Sequence, residues 1–219
     1  MTGYAIPPRE YAEWNNFWFE KGSDFTSPRV FLIGDSITVG YRGKVQELFR
    51  NAGSDILVDQ SAGSRCAGDP ALEAEIEYAL GPVNGYRYKA VHFNNGLHGG
   101  CNDTLIDLAK YEAGMRRCIA LIRRLQPDAK LILSTSTILL TSRDAAQGSV
   151  DFRKNAFVFH RNEVVHKLAA ELGLPIDDLY GAVVGNPNYP QTDGVHYGEA
   201  GRTRLAESVK ASIEAALAE

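Results

Sequence analysis

One stretch, Val30-Phe31-Leu32-Ile33-Gly34-Asp35-Ser36, constrains the fold more than any other. Four consecutive apolar residues of buried-strand type run into a glycine. Beyond it Val45, Leu48, Phe49 and Ala52 recur at i, i+3, i+4 and i+7, the apolar stripe of a helix. A strand, a sharp turn and a helix therefore follow one another, with Ser36 at the turn. A hydroxyl there is held by stiff backbone, near free helical N–H groups that favour negative charge. Taken alone, the stretch fits a Ser36 that only caps the helix or fills the turn equally well.

The same alternation continues along the chain. Strand patterns fall at Arg29–Ile33, Asp55–Asp59, Lys89–Phe93, Lys130–Thr137 and Leu174–Ile176. Helical patterns fall near Gly43–Asn51, from Asp69-Pro70 to Leu80, at Leu105–Leu125, at Asn155–Leu172 and at Glu199–Leu217. Strands alternating with helices imply βαβ crossovers and a parallel sheet covered on both faces. Five strands are too few for a closed eight-stranded barrel. The expectation is an α/β protein: a three-layer α/β/α sandwich around a five-stranded parallel sheet. Ligands in such sheets bind beyond the carboxyl ends of the strands. Ser36, Gly63 and the pair Asn94-Asn95 each follow a strand, so all three lie along that edge.

Residues 1–28 form a distinct lead-in, and residues 29–219 form one domain. In the lead-in, Tyr11, Trp14 and Trp18 stand at i, i+3 and i+7, which predicts a short helix with one aromatic face, thickened by Phe17 and Phe19. Packing of that face on the core edge is the ordinary reading. A dimer contact or one wall of a substrate cleft are the functional ones.

The far end of the chain carries Asp193-Gly194-Val195-His196. A serine hydroxyl needs a base to take its proton, and the base needs a carboxylate to orient it. Ser36, His196 and Asp193 supply these three groups. Acyl transfer also needs donors aimed at the oxygen that becomes negative. Candidates are the backbone N–H groups of Ser36 and Gly63 and a side-chain amide from Asn94 or Asn95. Gly63 reads equally as a turn glycine and Asn94 as a loop cap.

On these residues the chain resembles the SGNH hydrolases, also called GDSL-type esterases, from about residue 29 to the C-terminus. Gly34-Asp35-Ser36 matches their first block, Gly63 the second, and Asp193-Gly194-Val195-His196 the last. The third block departs from the common Gly-x-Asn-Asp. A literal copy stands at Gly100-Cys101-Asn102-Asp103, well past the strand. Phe93-Asn94-Asn95-Gly96-Leu97-His98 follows the strand directly and resembles a carbohydrate-esterase-like branch. Asn94 is the preferred oxyanion donor, then Asn95, then Asn102. The resemblance implies a flavodoxin-like sheet and a serine esterase acting on a small acyl ester, acetyl on a carbohydrate. A thioesterase or lysophospholipase of the same fold is the alternative among enzymes, and a non-catalytic carbohydrate-binding module the alternative outside them. Asp35 braces the turn in this reading. An ordinary α/β-hydrolase is disfavoured, because position 38 is Thr where G-x-S-x-G needs Gly.

Composition narrows the partners. A formal charge of -4, with no block of Lys or Arg, gives no reason to invoke nucleic acid or an anionic membrane. Three scattered cysteines, Cys66, Cys101 and Cys118, make neither a disulfide framework nor a metal knuckle. His92 and His98 flank one strand without a ligand-spaced third group, and His160 and His166 stand six apart, off a shared helical face. No metal and no cofactor are expected. The opening residues lack a secretory pattern, so the expectation is a cytoplasmic enzyme with a small-molecule ester as its partner.

Overall fold

The computed structural model describes residues 10–99, 107–139 and 152–219. In chain order the elements are β1 (Asn15–Trp18), β2 (Arg29–Gly34), α1 (Ser36–Asn51), β3 (Leu57–Gly63), α2 (Pro70–Leu80), β4 (Ala90–Asn94), α3 (Leu108–Leu125), β5 (Lys130–Ser134), α4 (Phe152–Leu172), β6 (Ile176–Asp177), α5 (Leu179–Val183) and α6 (Glu199–Ala218). They build a sheet ordered β1-β3-β2-β4-β5-β6. Five strands run parallel, and β1 pairs antiparallel with β3 at the edge.

Every residue of β2 is buried, as expected of a central strand covered on both faces. Its side chains alternate between two cores. Val30 and Leu32 join Ile37, Tyr41, Val45 and Phe49 of α1 and Leu205, Val209 and Ile213 of α6. Phe31 and Ile33 join Leu72 and Ile76 of α2, Met115 and Ile119 of α3, and Val165 and Leu168 of α4. This is the α/β/α arrangement expected, with α1 and α6 side by side on one face. No helix among the described residues is long and apolar enough to cross a membrane.

The sheet has six strands rather than five, and the extra one comes from the lead-in. Asn15–Trp18 is a strand, not the expected helix, in register with Gly63–Gln60 of β3. Its burial alternates, Asn15 and Phe17 facing the protein while Asn16 and Trp18 face solvent. Trp14 and Trp18 are four apart, a spacing that suits a strand of period 2 as well as a helix, and the aromatics favour the strand. The same pairing carries β3 four residues past Asp59, through the buried polar residues Gln60 and Ser61. Gly63 is therefore the last residue of the strand, and a side chain there would meet the Trp14 carbonyl at 2.7 Å.

A buried ion pair fastens the lead-in. Arg29 bonds both oxygens of Asp59 (2.9 and 2.8 Å) and donates to the carbonyls of Lys21 (3.0 Å) and Asp24 (2.6 Å). Asp59 also accepts from the Glu20 N–H at 2.7 Å and the Tyr88 hydroxyl at 3.0 Å. Burial pushes its carboxyl above the ordinary range, against the pull of these donors. With both Asp59 oxygens and both terminal nitrogens of Arg29 so occupied, the pair serves as a fixed corner of the fold.

Candidate active site

Helix α1 starts at Ser36, nine residues before its apolar stripe begins at Val45. Asp35 caps it, its Oδ1 accepting from the Ile37 N–H at 2.9 Å. Gly34 has a steric reason as well. A Cβ there would collide with the side chain of Thr38, whose own Cβ lies 2.9 Å away. Gly40 lets α6 approach, since a Cβ there would sit 3.2 Å from Arg202 Cδ.

The loop before α6 is pinned at several points. Gln191 N donates to the His196 carbonyl (2.8 Å), Gly198 N to the Tyr189 carbonyl (2.7 Å), and the buried Tyr197 hydroxyl to the Ile138 carbonyl (2.9 Å). Gly194 turns the chain at a φ of 77°. Asp193 Oδ1 accepts from the N–H groups of Val195 and His196, both at 2.9 Å. Its Oδ2 accepts from His196 Nδ1 at 2.7 Å, and His196 Nε2 lies 2.8 Å from Ser36 Oγ. The backbone N–H of Val195 and that of His196, followed by the imidazole, hold the Asp193 carboxyl down at about 2. A carboxylate on Nδ1 fixes the tautomer, so Nε2 presents a lone pair to the serine hydroxyl.

The three candidate donors stand at the ends of three neighbouring strands. The N–H groups of the first helical turn lack intrahelical partners, and Ser36 contributes one of them. Successive N–H groups along a strand point to opposite sides. Ser64 N donates to the Trp14 carbonyl at 3.1 Å, toward β1, so the Gly63 N–H points the other way, to the β2 side. Asn94, at the end of β4, gives one amide N–H to the Thr135 carbonyl at 2.9 Å. Its remaining contacts, to the carbonyl and hydroxyl of Ser134, are long at 3.4 Å. Asn95 is differently placed. Its Oδ1 accepts from Ala67 N and its Nδ2 donates to the Arg65 carbonyl, both at 2.8 Å, so it clamps the loop after β3. Asn102 lies outside the described residues.

The cleft beside Ser36 has a volume of ≈ 250 Å³ and is lined by Ile37, Val39, Gln191, His196, Tyr197 and Arg202 as well as Ser36. Burial pushes the Asp35 carboxyl up; its Oδ1 holds the helix cap, and its Oδ2 finds no hydrogen-bond partner among the described residues. His92, in the middle of β4, is fully buried, 2.9 Å from Asp177, whose other oxygen takes the Ser208 hydroxyl at 2.6 Å. Two residues that the sequence did not single out shape the edge of the site. Arg202 carries no local signal beyond standing one turn into α6. Arg161, buried within α4, donates to the carbonyls of Gly96 (2.9 Å) and His98 (2.6 Å) and fixes the loop after β4. An Arg among apolar helix positions was the only available hint.

Residues 32–204 match the GDSL-like lipase/acylhydrolase family, and the chain belongs to it. It is an ester-bond hydrolase on that ground. No curated protein matches the sequence. Among solved structures it is similar to a carbohydrate esterase family 3 from Talaromyces cellulolyticus, 19% identical, with a TM-score of 0.68 over 87% of this chain and 98% of that one. An acetyl xylan esterase, AlAXEase, is 18% identical with a TM-score of 0.67, covering 84% of this chain and 98% of the other. A Clostridium thermocellum family 3 carbohydrate esterase is 17% identical with a TM-score of 0.64, over 88% and 98%. At these identities the likeness is one of fold.

Proposed function

We propose that the protein is a serine esterase that removes a small acyl group, acetyl, from a carbohydrate. The observation that carries this is the unbroken line from Asp193 Oδ2 to His196 Nδ1 (2.7 Å) and from His196 Nε2 to Ser36 Oγ (2.8 Å). In this reading Ser36 Oγ bonds to the acyl carbon while its proton passes to His196 Nε2. The carbonyl oxygen becomes negative and is met by the N–H groups of Ser36 and Gly63 and by the Asn94 amide. The C–O bond to the alcohol breaks, and that oxygen takes the proton from His196. Water, deprotonated by His196, then attacks the acyl-Ser36 ester, and collapse returns the proton to Ser36 and frees the acid. Asp193 holds the imidazole and stabilises its cation without taking the proton.

Two observations favour a short acyl group on a sugar. The cleft is small at ≈ 250 Å³ and presents Gln191, His196 and Arg202, which suits a polar alcohol more than a long acyl chain. The structural relatives named above are carbohydrate and acetyl xylan esterases. Acetate release from a panel of acetylated sugars, alongside turnover of acetyl, butyryl and octanoyl p-nitrophenyl esters, tests the reading. Acetyl substrates are expected to turn over fastest. Turnover of the octanoyl ester alone would replace this reading with a thioesterase or lysophospholipase.

A further inference from the structure

Strands β3 and β4 lie on either side of β2. A contact between residues just past β3 and just past β4 therefore crosses the end of β2, where Asp35 and Ser36 leave the sheet. Trp14 and His98 make such a contact. Trp14 is tied to the end of β3, its N–H donating to Ser64 Oγ at 3.0 Å and its carbonyl accepting from Ser64 N at 3.1 Å. His98 follows β4 by four residues, and Arg161 holds its carbonyl at 2.6 Å. The two rings meet edge to face with centroids 6.3 Å apart. Glu10 Oε1 then takes His98 Nδ1 at 2.7 Å. Glu10, His98 and His196 all lie within electrostatic reach of the Asp35 carboxyl.

The result is a further imidazole–carboxylate pair at this edge of the sheet. With Nδ1–H given to a carboxylate, a neutral ring presents Nε2 as an acceptor. Among the described residues nothing hydrogen-bonds His98 Nε2, and the ring is partly open. Trp14 stays 36% exposed, so a flat apolar surface stands next to that acceptor. An apolar face beside a polar contact is the chemistry that recognises a sugar ring, which has C–H faces and hydroxyl edges.

We propose that Glu10, Trp14 and His98 form a subsite for the sugar that carries the ester: His98 Nε2 accepts a hydrogen bond from a sugar hydroxyl, and Trp14 packs against the ring. This rests on the sugar-ester reading above and extends it to residues before position 32, where the family match begins. The lead-in thereby adds a surface beyond the cleft lined by Ile37, Val39 and Arg202.

The test pairs a change in the enzyme with a change in the substrate. kcat/KM is measured for an acetylated methyl xyloside with free hydroxyls and for its O-methylated counterpart. Wild type is expected to favour the free hydroxyls by about tenfold, the worth of one hydrogen bond. In His98→Phe, which keeps a ring against Trp14 but lacks the acceptor, that preference should fall to near one through KM. Trp14→Ala should raise KM for both sugars. A preference that survives in His98→Phe, or is absent from wild type, overturns the subsite. Wild type that cleaves p-nitrophenyl acetate but no acetylated sugar also overturns it and leaves the Ser36 chemistry standing. Turnover that persists in Ser36→Ala removes the esterase mechanism itself, whatever the sugar preference shows.

Discussion

His196 Nε2 lies 2.8 Å from Ser36 Oγ, across a separation of 160 residues. Packing brings them together. Helices α1 and α6 share one apolar core on the same face of the sheet, with Tyr41, Val45 and Phe49 among Leu205, Val209 and Ile213. Ser36 begins α1, and His196 stands three residues before α6. The contact is set by the N-terminal ends of two neighbouring helices, with Gly40 making room for Arg202 between them.

The two adjacent asparagines should separate cleanly. Asn94→Ala is expected to lower kcat by about a hundred- to a thousandfold, the usual loss of an oxyanion donor. Asn95→Ala removes two hydrogen bonds to the Arg65–Ala67 loop, so it should lower the melting temperature, at about 1 kcal/mol per bond. Kinetics and thermal unfolding of both variants, side by side, check this. Unchanged kcat in Asn94→Ala would take Asn94 out of the oxyanion role.

The acid limb of the pH profile should involve one proton. Protonating His196 removes the lone pair that accepts the Ser36 hydrogen, so activity falls as pH falls. Asp193 adds no second step, because its carboxyl is held at about 2. Log kcat/KM for p-nitrophenyl acetate should therefore decline with a slope of one down to about pH 3. For stability the sign is that of a depressed carboxylate. Its contribution is present above the unfolded value of about 3.9 and is lost as pH falls through about 2. It is small, since the side chain is 46% exposed. A slope of two above pH 3 would contradict the assignment.

Gly34→Ala should damage both stability and turnover. The added methyl collides with Thr38, whose Oγ1 bonds Tyr41 at 3.0 Å, so the first turn of α1 must move and carry Ser36 with it. Overpacking of this kind costs about 1–3 kcal/mol. Thermal unfolding and kcat measured together should both fall. A variant with unchanged kcat would show that the Ser36 position tolerates the shift.

Much of this was legible in the chain because it depends on short local patterns. The β2 run, the glycine after it and the spacing of Asp193 and His196 each occupy a few residues. Asp69-Pro70 reads as a helix start, and Asp69 caps α2, accepting from Ala71 N at 2.9 Å. What escaped depends on partners far away in sequence. The lead-in is a strand because β3 offers an edge, with Asn15 opposite Gly63, and the spacing of its aromatics suits helix and strand alike. Missing β1 also ended β3 too early, which made Gly63 look like a loop residue. The division of labour between Asn94 and Asn95 lies in contacts with Thr135 and with Arg65 and Ala67, which adjacent identical residues cannot reveal.

Hydrolysis of p-nitrophenyl acetate by wild type and by Ser36→Ala tests the central claim most directly. If Ser36 and His196 act as one unit, kcat should fall in the variant by up to about a millionfold, to the level left by binding and oxyanion donors alone. A Ser36→Ala protein that stays folded and turns over within about tenfold of wild type would contradict it.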